Sequence, residues 1–360
     1  MLKFHSLPVA SVERIAEDAV CIAVVIPPDM RDDYSFHAGQ YLTVRRTIAG
    51  REERRTYSIV SAPGQATLKL GVRVQAHGCM SGELANAVRV GDWLDVGTPA
   101  GRFRTPIDPA RQRTYVAFAA GSGITPVLSL AADILAREHG SRFTLIYGNR
   151  SIARTMFLEE TLALKDRYLG RFALYFVMSR EPQQCELLNG RIDAAKMREM
   201  VRRIDGLATA HEYFICGPGR MVDELRGAVT EFNDTAVVRF ERFTAAGAAM
   251  PGAIAEAAPS PAAERALLAT ISITMDGRRR SFPMAPEDAS VLEAAERAGL
   301  QLPFSCRSGI CATCRTRVID GRVVMTHNIA LAPWELDAGF ALCCQARPTT
   351  ATLELSYDEK

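Results

Sequence analysis

Apolar and polar residues change rhythm along the chain. Up to residue 108 the pattern is short: runs at 19–26, 41–46, 56–60, 68–74 and 93–96 are rich in Val, Ile, Leu, Tyr and Thr, with turn residues between them. Strands of that length and spacing predict a small antiparallel β-barrel or sandwich. From residue 114 the rhythm lengthens. Strands at 115–120, 142–147, 171–178 and 212–216 alternate with helical periods at 126–138, 155–165, 194–203 and 220–232. Such alternation predicts an α/β doubly wound parallel sheet, whose ligands sit at the carboxyl ends of its strands. Residues 244–266 are dominated by Ala, Pro and Gly without an apolar period, the composition of a tether. An alternating strand at 269–275, an Asp276-Gly277 turn and a helix at 290–298 ended by Gly299 then predict a small α+β unit. The expected division is 1–108, 109–243, a linker at 244–266, and 267–360.

A chain of 360 residues is expected to hold two or three cores, and its formal charge of +2 is too small to point to nucleic acid. Nine cysteines, five of them after residue 305, do not resemble a secreted disulfide framework. A reduced, cytoplasmic protein is the expectation. Glu13, Arg14, Glu17 and Asp18 interrupt what would be the apolar part of a signal peptide. The most apolar window, 115–136, is broken by Gly121-Ser122-Gly123-Ile124-Thr125-Pro126, which suits a strand, a loop and a helix better than a membrane span.

The strongest chemical signal lies near the end. Four residues separate Cys306 from Cys311, two separate Cys311 from Cys314, and 29 lie between Cys314 and Cys344. A C-x4-C-x2-C loop with a distant fourth thiolate is the plant-type [2Fe–2S] spacing. Structural zinc would want paired knuckles, and only one C-x2-C pair is present. Spacing alone leaves Cys343 and Cys344 both available as the fourth ligand.

Three further groups stand upstream. Arg55-Thr56-Tyr57-Ser58 alternates a cation, an aromatic and a hydroxyl along a strand, and Gly78-Cys79-Met80-Ser81 precedes a helix expected at 83–88, offering N–H groups to a phosphate. Gly121-Ser122-Gly123 would let backbone approach a pyrophosphate, and Pro126 loses no needed N–H so early in a helix. Arg150-Ser151 and Ser179-Arg180-Glu181 follow neighbouring strands, where cations and hydroxyls would suit a 2′-phosphate.

Together with Cys216-Gly217-Pro218, Glu241, Phe243 and the C-terminal run 320–348, these residues resemble the ferredoxin–NADP reductase superfamily over almost the whole chain. The resemblance is to oxygenase reductases with a C-terminal plant-type ferredoxin, especially those of phenylacetyl-CoA epoxidation and 3-ketosteroid 9α-hydroxylation. It implies a flavin barrel, a nicotinamide domain and a β-grasp ferredoxin domain. FAD would be held by Arg55, Thr56, Tyr57, Ser58, Gly78, Cys79, Met80 and Ser81. NADPH, with NADH the alternative, would meet Gly121, Ser122, Gly123, Thr125, Arg150, Ser151, Ser179, Arg180, Cys216, Gly217, Pro218 and Phe243. Ser58, Cys216 and Glu241 would take part in hydride transfer. The family's fourth cluster ligand precedes Gln in a C-Q-A run, which selects Cys344 beside Cys306, Cys311 and Cys314. Strand alternation would then turn Cys343 away. The implied partner is an oxygenase with a di-iron centre. The alternatives are another multicomponent oxygenase, a stand-alone diaphorase, a redox sensor or a zinc module.

Overall fold

The computed structural model describes residues 3–243 and 269–359, so the expected linker at 244–266 lies outside the described residues. The described residues fall into two compact units, one running from Phe4 and the other from Ala269. Among them no helix is long and apolar enough to cross a membrane.

The first unit opens with strands β1 (Phe4–Ala16), β2 (Ala19–Val25), β3 (Tyr41–Ile48), β4 (Arg51–Ser58) and β5 (Thr67–Arg73), then helix α1 (Cys79–Asn86) and strand β6 (Trp93–Gly97). They form an antiparallel sheet in the order β4-β3-β6-β1-β2-β5, and an Ile59–Leu70 bridge brings the two ends together as a barrel. Leu7, Ile22, Leu42, Val44, Leu70 and Val72 fill it. The pattern of apolar residues does not predict β1, although it lies in mid-sheet. Register shifts between Val9 and Ser11, and between Arg14 and Ala16, break the period-two alternation that marks a strand. α1 starts four residues before the expected helix. Ser81 Oγ accepts from Gln75 N (3.0 Å) and donates to the Gly78 carbonyl (3.1 Å), which makes 79–81 the helix's first turn instead of a preceding loop.

The chain continues through β7 (Thr114–Ala120), α2 (Ile124–Arg137), β8 (Arg142–Asn149), α3 (Leu158–Arg167), β9 (Phe172–Met178), α4 (Ala194–Arg203), β10 (Glu212–Pro218), α5 (Gly219–Phe232) and β11 (Val237–Phe243). The sheet is parallel, in the order β11-β10-β7-β8-β9. It winds outward from β7 and then returns to its other side, so the switch point lies between β7 and β10. Both faces are covered. Tyr115 and Ala117 of β7 join one core with Val127, Leu130 and Ile134 of α2, while Val116 and Phe118 join another with Met197 of α4 and Leu225 of α5. A strand buried on both sides reads as a continuous apolar run. α3 begins three residues later than expected because Phe157, at φ 55°, is buried against the barrel. A Cβ on Gly71 of β5 would lie 2.6 Å from the Phe157 ring.

The second unit contains β12 (Ala269–Met275), β13 (Arg278–Met284), α6 (Val291–Arg297), β14 (Arg315–Asp320), β15 (Val323–Met325), α7 (Pro333–Asp337), β16 (Phe340–Leu342), β17 (Ala346–Pro348) and β18 (Thr352–Ser356). Its main sheet runs β13-β12-β18-β14-β16, with β12 and β18 parallel and the other pairs antiparallel. α6 lays Val291, Leu292, Ala294 and Ala295 into a core with Ile271, Phe282 and Leu355. Ser290 caps it, its hydroxyl accepting from Glu293 N at 3.3 Å. A mixed sheet grasping one helix in this order is the expected β-grasp.

Candidate functional site

At the switch point, β7 gives way to the Gly121-Ser122-Gly123 turn, which runs straight into α2 beside the Cys216-Gly217-Pro218 end of β10. A Cβ on Gly123 would stand 2.2 Å from the Cys216 carbonyl oxygen, so glycine is what lets these strand ends meet. Gly121 adopts φ 56°, and Thr125 Oγ1 donates to the Ser122 carbonyl at 2.9 Å. β11 sets Glu241 in register with Cys216 and Phe243 with Pro218. Cys216 is fully buried, and burial, followed by the charge of Glu241, holds its thiol well above the ordinary cysteine range. Burial pushes the Glu241 carboxyl up to about 8, so it is protonated at neutral pH. Its Oε2 is buried without a hydrogen-bond partner among the described residues. An orphaned buried carboxyl oxygen costs free energy in the free protein, and such groups gather where ligands bind. The strand-end glycines, the buried thiol and this carboxyl fit a nicotinamide dinucleotide.

On the barrel, β4 presents Arg55, Thr56, Tyr57 and Ser58. Ser58 is buried opposite Tyr41, and Tyr57 pairs with Leu42. Burial raises the Tyr57 phenol above its ordinary range, against the opposing pull of Arg55, and Cys79 is close enough to add to the rise. Arg55 ion-pairs with Glu53 at 2.9 Å and donates to the Arg54 carbonyl at 2.7 Å. The N-cap of α1, Gly78, offers no side-chain cap. The N–H groups of Cys79, Met80 and Ser81 therefore have no intrahelical acceptor and suit an anion. A Cβ on Gly78 would strike Ser81 Oγ at 2.6 Å. An aromatic ring, a buried hydroxyl and a bare helix N-terminus fit the ring and pyrophosphate of FAD.

The ends of β8 and β9 lie side by side. Ser179 N donates to the Asn149 carbonyl and Arg180 N to the Arg150 carbonyl, both at 2.9 Å, so two exposed guanidinium groups leave from adjacent backbone. Glu181 does not stand free against a phosphate: its Oε2 accepts from Ile152 N at 2.8 Å. The loop that follows is held from the barrel. Asp18 receives Arg73 Nη1 at 3.0 Å on each oxygen and also pairs with Arg154, while Glu17 N donates to the Ala153 carbonyl at 2.9 Å. The Tyr147 hydroxyl lies between the carbonyls of Gly121 (2.9 Å) and Met156 (3.2 Å), linking this loop to the glycine turn. Sequence reasoning misses Asp18, Arg73 and Tyr147. Asp18 and Arg154 are 136 positions apart, and no local pattern announces such a pair.

In the second unit the four thiols come as two pairs. Cys311 hydrogen-bonds through its thiol to Cys306, and Cys314 Sγ lies 3.2 Å from Cys344 Sγ. A bridged two-iron core takes two thiolates per iron, and this pairing fits it. The N–H groups of Ser308 and Cys311 point at Cys306 Sγ, each at 3.4 Å. The Cys311 thiol, helped by Ser308 and the loop N–H groups and opposed by burial, holds Cys306 below the ordinary cysteine range. Cys344 is lowered by Cys314 first and by the Gly309 N–H, again against burial. Three loop residues are left-handed: Arg307, Gly309 and Ala312. A Cβ on Gly309 would meet the His327 carbonyl at 2.6 Å. Arg307 is steadied by Glu296 and by stacking 4.2 Å over Phe304. Gln345 Nε2 donates to the Arg307 carbonyl at 2.8 Å, tying the remote thiol to the loop. Strand alternation is not what separates Cys343 from Cys344, contrary to expectation, because both occupy the turn between β16 and β17. Cys343 is nevertheless wholly buried in the core, where burial pushes its thiol up to about 12.

Comparison with known proteins agrees with these groupings. Residues 6–105 match the oxidoreductase FAD-binding domain, 118–226 the oxidoreductase NAD-binding domain, and 273–349 the 2Fe-2S iron-sulfur cluster binding domain. The chain is 36% identical to a subunit of the 1,2-phenylacetyl-CoA epoxidase of Escherichia coli (strain K12), over 100% of this chain and 99% of that protein. It is 29% identical to the ferredoxin reductase component of 3-ketosteroid-9-alpha-monooxygenase of Rhodococcus rhodochrous, over 98% and 96%. Among solved structures, phthalate dioxygenase reductase shares the fold, with a TM-score of 0.59 at 24% identity over 98% of both chains.

Proposed function

The chain belongs to the oxygenase reductases of the ferredoxin–NADP reductase superfamily that carry a plant-type [2Fe–2S] domain, and from that premise we propose that it transfers electrons from NADPH to the oxygenase component of a phenylacetyl-CoA epoxidase. The observation that carries this reading is the end-to-end match with the Escherichia coli epoxidase protein. FAD, a nicotinamide dinucleotide and a [2Fe–2S] cluster are its redox groups; when bound, the flavin takes electrons as a pair and the cluster carries them singly.

The protein's own part is to bind and orient. Arg55 and the first turn of α1 would hold the FAD pyrophosphate, with Thr56 and Tyr57 along the ring and Ser58 hydrogen-bonding to it. Gly121, Ser122, Gly123 and Thr125 would admit the dinucleotide, with Arg150, Ser151, Ser179 and Arg180 at its adenosine end. Cys216, Gly217, Pro218 and Phe243 would face the nicotinamide. Glu241, protonated at neutral pH, would offer a hydrogen bond where the hydride moves and keep a negative charge away from it. Cys306, Cys311, Cys314 and Cys344 would hold the cluster, with Gly309 and Gln345 orienting the thiolates. The acceptor would be a di-iron protein.

Anaerobic titration of the visible spectrum with NADPH and with NADH tests the reading. Flavin and cluster should both bleach, and at lower concentrations of NADPH. Reconstitution with the epoxidase's oxygenase component should then support NADPH-dependent product formation. Bleaching of the flavin without the cluster would overturn the relay and favour a diaphorase.

A further inference from the structure

We propose that Asp18, a residue of the flavin barrel, is a positioning residue for dinucleotide selection. By fastening Arg154 to the barrel it holds the Arg150-Ser151 loop in the shape that receives a 2′-phosphate. The inference rests on the proposed adenosine site at Arg150 and Arg180.

Asp18 lies in the turn between β1 and β2, with its side chain 16% exposed, and its carboxylate stands between the guanidinium groups of Arg73 and Arg154. Arg73 Nη2 also donates to the Arg154 carbonyl at 2.7 Å, so the barrel grips both ends of that residue, Asp18 at its guanidinium and Arg73 at its carbonyl. The loop is bound on its other side by Glu181, through Ile152 N. Between these two holds, residues 150–154 have little freedom.

The pairing also decides which cation can serve a phosphate. Arg154 is engaged by Asp18, and its Nε is buried without a partner, turned away from solvent. Arg150 and Arg180 are exposed and start from hydrogen-bonded neighbouring residues. A 2′-phosphate that meets two guanidinium groups depends on their spacing, and that spacing depends on the loop. Without the carboxylate, two guanidinium groups would face each other with no counter-ion, and their repulsion would drive the loop off the barrel. The 5′-phosphate side of the nucleotide would lean on the glycine turn, which the Tyr147 hydroxyl joins to the loop only at Met156, beyond the Asp18–Arg154 hold, and would not feel this directly.

The test uses the full chain loaded with FAD and cluster, titrated calorimetrically with 2′,5′-ADP and with 5′-AMP, which lacks only the 2′-phosphate. The wild type should prefer 2′,5′-ADP. Asp18→Asn should weaken 2′,5′-ADP about tenfold and leave 5′-AMP within about twofold, with Asp18→Glu recovering most of the loss. Steady-state kinetics should show the KM for NADPH rising while kcat with ferricyanide is kept. Arg154→Gln should reproduce the selective loss, which keeps the test open if Asp18→Asn fails to retain flavin. Equal weakening of both nucleotides, or no change in either, would overturn the inference. Tighter binding of 2′,5′-ADP by Asp18→Asn would also overturn it, by showing Arg154 to be a phosphate ligand once released. A wild type indifferent to the 2′-phosphate would instead sink the adenosine-site reading, and this inference with it.

Discussion

The nucleotide crevice and the cysteine loop solve opposite problems. The crevice is assembled from strand ends about a hundred residues apart that meet only because a parallel sheet brings them together, as Gly123 meets Cys216. The cysteine loop gathers three of its four thiols within nine residues and must bend its own backbone, with Arg307, Gly309 and Ala312 left-handed. Strain in the loop is local, and Arg307 is held against it by the Glu296 pair and by the hydrogen bond from Gln345. In the crevice the cost is an unpartnered carboxyl oxygen, which a ligand can relieve. Damage to the loop should therefore remove one redox centre cleanly, whereas damage to the crevice should pass through the sheet.

The sharpest separation comes from Cys344→Ser. It should cut reduction of the protein acceptor by a factor on the order of 100 or more and erase the cluster's visible bands, while NADPH–ferricyanide activity stays within about twofold. A parallel fall in ferricyanide reduction would show that the two regions are not independent. Gly123→Ala makes the converse break: its Cβ would be forced against the Cys216 carbonyl, and stopped-flow reduction of the flavin by NADPH should slow about 100-fold with the cluster spectrum intact.

A smaller effect is expected from Glu241→Gln, a fall of about tenfold in the hydride step at pH 7. The wild-type rate should decline as pH rises through about 8, where the buried carboxyl loses its proton, and the Gln variant should lack that decline. The same shift has a stability sign. The folded protein keeps this proton at pH values where the unfolded chain releases it, so Glu241 lowers stability as pH climbs from the ordinary carboxylate range to about 8. Denaturant melts of the Gln variant should lose that slope. Least of all, Cys343→Ser should leave both electron-transfer assays unchanged and lower stability by about 1–2 kcal/mol, through a hydroxyl buried in the core.

What can be read from the chain follows the same division. The C-x4-C-x2-C spacing and the Gly-x-Gly turn are local, so they are legible without a fold. Strands β8 and β9 and helix α4 follow from plain apolar periods. β1 is hidden by its own bulges, and the start of α1 by a first turn of Cys, Met, Ser and Gly that reads as loop. Strand alternation predicts that Cys343 faces away from Cys344, but a turn does the separating. The hold of Asp18 on Arg154 exists only after the barrel and sheet have met, and the hydroxyl of Tyr147 finds its two carbonyls only once β8 lies beside β7.

Glu181 carries a consequence for redesign. Its Oε2 is occupied by the Ile152 amide, yet the acid already stands on the loop where an anion would be wanted for an unphosphorylated ribose. Under the proposed adenosine site, retargeting this protein toward NADH would call for subtraction. Neutralising Arg150 and Arg180 would expose a preference whose acidic half is in place, and no new carboxylate would have to be grafted in.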